Sequence, residues 1–419
     1  MTPKIYRLFA TLLFTACSSA GDSTSESGET GTSGTTGGSG VCGDGVLDPG
    51  EACEVAAPGC DAECHVTGET AWTLRVGAPD DRTTIYGVAV DPTGQIVVFG
   101  EKLHTPGGEP IHSTWLLALD PSGDERWRKE FPQDSPLPDG GGVAVDADGR
   151  IYVQFGGLRQ FGPNGAPGWQ VSPPEGEDEF IAVTAGNGAV YTSSIGLAPV
   201  GDFEFANLIV NRHDPATGEI VWQQFVGDDP HRIYPAGMAV AGDTVAIVGR
   251  WYGPTSGGGG ALLSVEAATG APRLRLFGVD ELWDVPLAGL PSGDLVMAGW
   301  KPYDWFVRRH AGDGTVLWNR TVAVDNAPGS GITHLAVGPD ETIVLAVNQG
   351  PYDAGHATVH AVSGVGEPGW TVDYAPEGAT RNELVYRVAF GPGFVVAVGH
   401  SEGDAFEERT GWIRKIGPQ

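Results

Sequence analysis

Ten residues in the later part of the chain carry side chains suited to holding a ligand: Tyr234, Arg250, Trp251, Tyr252, Trp283, Trp300, Tyr303, Tyr352, Arg387 and His400. Aromatic faces stack on sugar rings and peptide groups, while guanidinium and imidazole groups hydrogen-bond their polar substituents. The chemistry these types suggest is recognition of a glycan or a protein segment. Tyr234 and Trp283 precede apolar, strand-like runs, and most of the others fall in irregular connections, where a rigid scaffold commonly carries its binding groups.

Signatures of bond-breaking chemistry are missing. The chain has no HExxH, no GxSxG and no phosphate-binding P-loop, so metalloprotease, nucleophile-elbow and nucleotide chemistries have no anchor. His356 and His360 are four apart; on a strand they share a face but stand about 13 Å apart, too far to ligate one ion. Asp146-Ala147-Asp148-Gly149 starts like a calcium loop but lacks the distal Glu, and reads as a turn. No catalytic residue, metal site or cofactor is expected, and a non-enzymatic role is favoured.

The elements that must position such a site follow from composition and repetition. Gly occurs 65 times and Pro 31 times, with 41% hydrophobic residues; this is too apolar for disorder and points to an all-β body of short strands and tight turns. Asp and Glu number 53 against 24 Lys and Arg, a formal charge of −29, which excludes a nucleic-acid partner because phosphates need a basic footprint. No apolar run reaches the ~18 residues of a spanning helix.

From residue 70 one unit recurs. Its first half is a hairpin, as in Tyr86–Gly100 (YGVAVDPTGQIVVFG), Pro235–Gly249 (PAGMAVAGDTVAIVG) and Tyr386–Gly399 (YRVAFGPGFVVAVG). Its second half is another hairpin, as in Trp115–Phe131 (WLLALDPSGDERWRKEF) and Leu208–Gly227 (LIVNRHDPATGEIVWQQFVG). Gly, Asp, Asn and Pro sit where hairpin turns need them. Six intervals separate Gly94 from Gly393, a period of about fifty residues, within the range of a four-stranded propeller blade.

Seven first halves are present, but the seventh second half stops after the strand in Gly411–Gln419 (GWIRKIGPQ). A matching outer strand, Ala71–Val76 (AWTLRV), stands before the first blade. The expected fold over 70–419 is therefore a seven-bladed β-propeller closed by pairing 71–76 with 411–416, which removes the free edges of an open array. Turns within hairpins then lie on one face. The opposite face takes the variable connections Glu101–Ser113, Leu197–Ala206, Arg250–Gly260, Lys301–Asp304, Gln349–His356 and His400–Thr410, and the ten candidate residues with them.

The blades resemble the bacterial β-propeller and PQQ-like repeat families. Asp214-Pro215-Ala216-Thr217-Gly218 with Trp222 is similar to the tryptophan-docking motif of PQQ-binding propellers, and Trp127, Trp169, Trp318 and Trp370 recur at comparable places. The resemblance implies blade packing far more than cofactor binding, since the docking motif is structural and propellers host many functions.

Before the propeller the chain reads as an address and a stalk. Residues 1–16 have a basic start (Lys4, Arg7), an apolar core and Thr15-Ala16 before Cys17, the pattern of an export signal. Phe14-Thr15-Ala16-Cys17 resembles a bacterial lipobox, which implies cleavage before Cys17 and its acylation, a membrane tether without a span. Residues 17–40 are Ser, Thr and Gly rich, a flexible tether. Residues 41–66 hold Cys42, Cys53, Cys60 and Cys64, an even number in an exported chain, favouring two disulfides with three open pairings. The stretch Cys42–Cys53 (CGDGVLDPGEAC) resembles a Cys-rich repeat of myxobacterial cell-surface proteins. No Lys or Arg lies between Arg7 and Arg75, so the arm is expected to stay extended and off the acidic body.

Together these readings lead to the expectation of an exported monomer, lipid-anchored at the outer membrane or cell surface, whose propeller binds or scaffolds a protein or glycan. The alternatives are a propeller lyase, lactonase or quinone-dependent oxidoreductase with a central pocket, or an outer-membrane assembly scaffold.

Overall fold

The computed structural model describes Cys60 and residues 66–417, apart from 78–80, 105–110, 134–141, 178–179, 201–202, 227–231, 253–257, 280–285, 302–303, 325–326, 328–329, 352–353, 376–381 and 404–408. The signal, tether, Cys17, Cys42, Cys53 and Cys64 lie outside the described residues.

The described strands form seven four-stranded antiparallel sheets. In the first six blades the strands follow chain order, from Asp81–Val90, Ile96–His104, Ile111–Leu119 and Glu125–Gln133 in blade 1 to Gly331–Val337, Ile343–Gln349, His356–Val362 and Pro368–Tyr374 in blade 6. The first strand of every blade touches the first strand of the next, and blade 7 returns to blade 1. These are the inner strands, and the ring is closed.

Blade 7 is built from both ends of the propeller. Asn382–Gly391, Phe394–Glu402 and Arg409–Ile416 take the three inner positions, and Thr70–Val76 is the outer strand. The register runs from Thr70 opposite Ile416 to Val76 opposite Gly411, as the complementary terminal strands require.

Seven apolar clusters, one at each blade interface, replace a single core. The alternation of a strand explains how. Ile96 and Val98 of the second strand of blade 1 face blade 7, while Val97 and Phe99 face blade 2. Second strands are therefore buried on both sides and read as unbroken apolar runs. Outer strands, such as Thr70–Val76, alternate exposed and half-buried residues.

The recurring tryptophans lock neighbouring blades together at all but one of the interfaces among the described residues. Trp72 Nε1 donates to Pro121 O, Trp127 to Pro163 O, Trp169 to Pro215 O, Trp222 to Ala267 O and Trp318 to Gly364 O, all between 2.9 and 3.2 Å. Each acceptor lies in the outer hairpin turn of the following blade. The indole also covers a turn glycine: Gly218, at φ +77°, would place a Cβ 2.5 Å from the Trp169 ring, so no side chain fits there and the dihedral itself favours glycine. Between blades 4 and 5, Leu274 and Leu276 replace the indole against Gly314.

At the last interface the N-terminal segment supplies the missing turn. Trp370 of blade 6 covers Gly68, and Gly417 N donates to Glu69 O. Val66 is buried in the cluster between blades 6 and 7, with Cys60 packed against it. The expectation of an arm held off the acidic body is thus corrected: apolar contact at Val66 and Cys60 docks the end of the Cys-containing stretch onto the turn face. Cys60 is disulfide-bonded.

Candidate functional site

Antiparallel pairing brings the start of each inner strand beside the end of the second strand and the start of the third, all on the face opposite the hairpin turns. In blades 1, 4, 6 and 7 the inner strand carries one extra residue at the same register position: Tyr86, Ala236, Thr333 and Tyr386. Such bulges re-aim a side chain away from the regular pleat. Where the bulge sits, the second strand of blades 1, 4 and 7 has Gly100, Gly249 or Gly399. A Cβ there would fall 2.6, 2.3 and 1.8 Å from the carbonyl oxygens of Thr84, Tyr234 and Leu384. The glycine that ends the first hairpin, in VVFG, AIVG and VAVG, is the mark of this close approach.

Blades 7 and 1 are neighbours, so their bulges present Tyr86 and Tyr386 to one cleft. Its volume is 340 Å³, and Arg82, Thr84, Glu101, Leu103, His112 and Arg409 line it with the two tyrosines. Tyr86 Oη donates to Glu101 Oε2 at 2.9 Å, and His112 Nδ1 lies 3.1 Å from Glu101 Oε1. A carboxylate oxygen only accepts, so Glu101 orients the His112 ring with Nδ1 as the donor. Burial, with Glu101 adding to it, pushes the Tyr86 phenol well above its ordinary value, so it is protonated at neutral pH.

The blade 7 side rests on a polar network. The Tyr386 ring is 5.0 Å from the fully buried His400. His400 Nε2 lies 3.1 Å from Glu402 Oε1, Asn382 Nδ2 donates to Glu402 Oε2 at 2.8 Å, and Arg409 Nη2 is 2.8 Å from Glu402 Oε1. The hydrogen bond from His400 leads the interactions that hold the Glu402 carboxyl down at about 2, against the opposing effect of burial. Burial lowers His400. Beside this group, Glu383 accepts from Ser401 and Arg414, each at 2.5 Å, and is 1% exposed.

Burial also raises the Tyr386 phenol, while the positive charges of Arg409, Arg387 and Arg82 pull it the other way. Three guanidinium groups thus act on one hydroxyl in a chain with more than twice as many acids as bases. Among the described residues nothing hydrogen-bonds the Tyr386 hydroxyl. Arg387 donates to Tyr386 O at 3.0 Å, and on the neighbouring inner strand His334 is lowered to about 3 by burial and by the charge of Arg387.

The residues expected from the sequence separate into groups. Arg387 and His400 belong to the blade 7 side, where His400 is too buried to touch a ligand and instead supports Tyr386. Tyr234 and Arg250 pair across blade 4, with Trp251 opposite Ile233; Tyr234 is 39% exposed, whereas Trp251 packs into the cluster between blades 3 and 4. Trp300 is 39% exposed in blade 5. Trp283, Tyr303 and Tyr352, and the side chain of Tyr252, lie outside the described residues. The connection expected over Leu197–Ala206 is a continuation of the strands Ala189–Val200 and Phe203–His213. Asp146 forms a turn as expected: its Oδ1 accepts from the amides of Asp148 and Arg150.

A larger cleft of 540 Å³ lies on the turn face between blades 1 and 2. Its polar groups are already used: Asp91 accepts from Thr93 and Gln95 amides, and Trp127 and Gln95 both donate to Pro163 O. It is the groove beside the docking tryptophan.

No family model and no curated protein matches the chain. Among solved structures it is similar to the polysaccharide lyase Uly1, at 13% identity over 87% of this chain and 95% of that one, with a TM-score of 0.51. It is similar also to an acylaminoacyl peptidase from Pyrococcus horikoshii, at 9% identity over 80% of this chain and 52% of that one, with a TM-score of 0.52. A quinohemoprotein alcohol dehydrogenase from Comamonas testosteroni aligns at 12% identity over 84% and 77% of the two chains, with a TM-score of 0.46. At these identities the first two likenesses establish a shared fold, and the third carries no argument.

Proposed function

We propose that the propeller binds an acidic saccharide in the cleft between blades 7 and 1, and that the chain is an exported lipoprotein anchored through Cys17. The observation that carries the first part is the chemistry of the lining: Arg82 and Arg409 beside Tyr86, Tyr386 and His112. Guanidinium groups recognise carboxylates, and the aromatic rings suit the apolar face of a sugar. The volume of 340 Å³ is at the small end of ligand pockets, the size of a few ring substituents rather than a folded partner.

The entry of the chain supports the display part of the reading. Residues 66–69 reach blade 7 on the turn face, and the cleft opens on the opposite face. Four cysteines over residues 41–66, of which Cys60 is disulfide-bonded, fit an exported module.

Binding is tested by titrating the mature chain with polygalacturonate oligosaccharides and with dextran oligosaccharides of equal length. The expected result is saturable binding of the former alone, weakened about tenfold or more by Arg82→Ala or Arg409→Ala. Equal binding of both, or of neither, overturns the reading. Incorporation of a labelled fatty acid by the wild type and not by Cys17→Ala tests the anchor; equal labelling overturns it.

A further inference from the structure

We infer that this cleft also cleaves its saccharide, by β-elimination at a uronic-acid residue, with His112 as the base and Tyr386 as the acid. This rests on the acidic-saccharide reading, and it follows from what the lining contains and lacks. Glycoside hydrolysis ordinarily needs two carboxyl groups flanking the bond. Among the described lining residues only Glu101 carries one, and it is engaged by Tyr86 and His112. No Ser or Cys is among the lining residues either, so covalent catalysis through those nucleophiles has no starting point.

Elimination asks for a different set, and the cleft has it. A proton α to a carboxylate becomes removable when the carboxylate charge is neutralised and the developing enolate is stabilised. Arg82 and Arg409 stand in the lining to do this. The base needs a lone pair within the cleft and a group behind it that fixes its tautomer. His112 has its Nδ1 on Glu101 at 3.1 Å, and no hydrogen bond among the described residues occupies Nε2. The acid must be protonated when the leaving oxygen departs. Tyr386 comes from the other blade, its hydroxyl is unengaged among the described residues, and burial holds the proton on it.

The step balances without water, oxidant or metal. His112 Nε2 takes the C5 proton; the electron pair of that C–H bond becomes the C4=C5 double bond; the C4–O bond breaks; and the departing oxygen takes the Tyr386 proton. The products are an unsaturated uronate and a saccharide with a new hydroxyl end. The His112 proton then returns to Tyr386 through solvent. In this arrangement Glu101 is a positioning residue, as are His400 and Glu402 behind Tyr386 and Arg409.

The test incubates the mature chain with polygalacturonate, alginate and chondroitin, following ultraviolet absorbance of the conjugated double bond, reducing ends and binding in parallel. Expected is a rise in absorbance on at least one polymer. His112→Ala and Tyr386→Phe should each slow it about 100-fold or more while binding weakens far less and the melting curve of Tyr386→Phe stays close to wild type. Glu101→Gln should shift the pH profile of the rate, an effect a merely structural role would not produce. Binding without any double bond overturns the catalytic inference and leaves the binding reading standing. New reducing ends without absorbance mean hydrolysis and overturn it as well, as does an undiminished rate in both His112→Ala and Tyr386→Phe. Failure to bind any of the three polymers overturns the reading beneath it.

Discussion

Arg75 Nη1 donates to Ser401 Oγ at 2.8 Å, and through this bond the strand that closes the ring meets the polar network of blade 7. Ser401 in turn donates to Glu383, whose other oxygen takes Arg414. The closing strand therefore finishes a sheet and also completes the hydrogen bonding next to the cleft.

Removing the chain through Val76 should accordingly cost more than one hydrogen bond. It exposes the edge of Arg409–Ile416, uncovers Ile416 and Trp412 in the cluster with Val66, and leaves Trp72 missing from the turn of blade 1. A chain starting at Gly77 is expected to melt without a cooperative transition and to associate through the free edge. Arg75→Ala, which removes a single partly buried bond, should cost about 1 kcal/mol. A denaturant titration of both checks the contrast.

Gly218→Ala strains the molecule twice. The φ of +77° disfavours any side chain, and the new Cβ would lie 2.5 Å from Trp169, displacing the indole from Pro215 O. The expected loss is about 2–3 kcal/mol, and Trp169→Phe, which keeps a ring but loses the N–H, should cost about 1 kcal/mol. Chemical denaturation distinguishes the two. Fluorescence of the remaining tryptophans should be unchanged at the other interfaces, since each indole docks only onto the next blade.

Acid should weaken the fold in two overlapping windows. His213, His310, His334, His360 and His400 are all lowered by burial. The unfolded chain gains protons on them below about pH 6.5 while the folded chain does not. Stability is thus full above that pH and falls as pH drops, by at most about 1.4 kcal/mol per unit for each histidine still neutral in the fold. For His334 the loss runs from about 6.5 down to about 3. Glu402, depressed to about 2, contributes stability above about 4.5 that disappears as pH falls through 2. Urea midpoints between pH 7 and 3 should show His334→Asn flattening the slope below about 6.5, and Glu402→Gln lowering stability at neutral pH while flattening the slope below about 4.5.

The ring was legible in the sequence because its physics repeats. Most turns carry Gly with Asp or Asn, each doubly buried strand has its apolar run, all but one interface has its indole, and the lone outer strand Thr70–Val76 had one unfilled partner. The cleft was legible only in outline. The connections Glu101–Ser113 and His400–Thr410 and the residues Arg387 and His400 point to it. Tyr86 and Tyr386 occupy the same place in two units, YGVAV and YRVAF, yet in a strand pattern they look like half-buried inner residues. Only the bulge, one unpaired residue opposite Gly100 or Gly399, turns them into the cleft, and a bulge does not disturb the apolar period enough to be read. Nor does sequence reveal that blade 7 and blade 1, at opposite ends of the chain, share one site. The docking of Val66 was hidden for a different reason: a bulk acidic charge says nothing about one apolar residue joining the cluster of Trp412 and Ile416.

The bulge glycines offer a test in which strain and function separate. Gly399→Ala would set a Cβ 1.8 Å from Leu384 O, and Gly100→Ala one 2.6 Å from Thr84 O and 2.3 Å from the Trp115 ring. Either must flatten or shift the bulge that carries Tyr386 or Tyr86. Gly249→Ala meets the same obstacle in blade 4, 2.3 Å from Tyr234 O, but the extra residue there is Ala236, far round the ring from the cleft. All three variants should lose about 2–3 kcal/mol of stability, because each forces backbone out of a close approach. Only the variants in blades 7 and 1 should weaken binding of polygalacturonate oligosaccharides, by about tenfold or more at a temperature where every variant is folded. Melting curves and calorimetric titrations of the three side by side make the comparison. Equal weakening by Gly249→Ala would show that the bulges act through the stability of the ring and do not aim the two tyrosines.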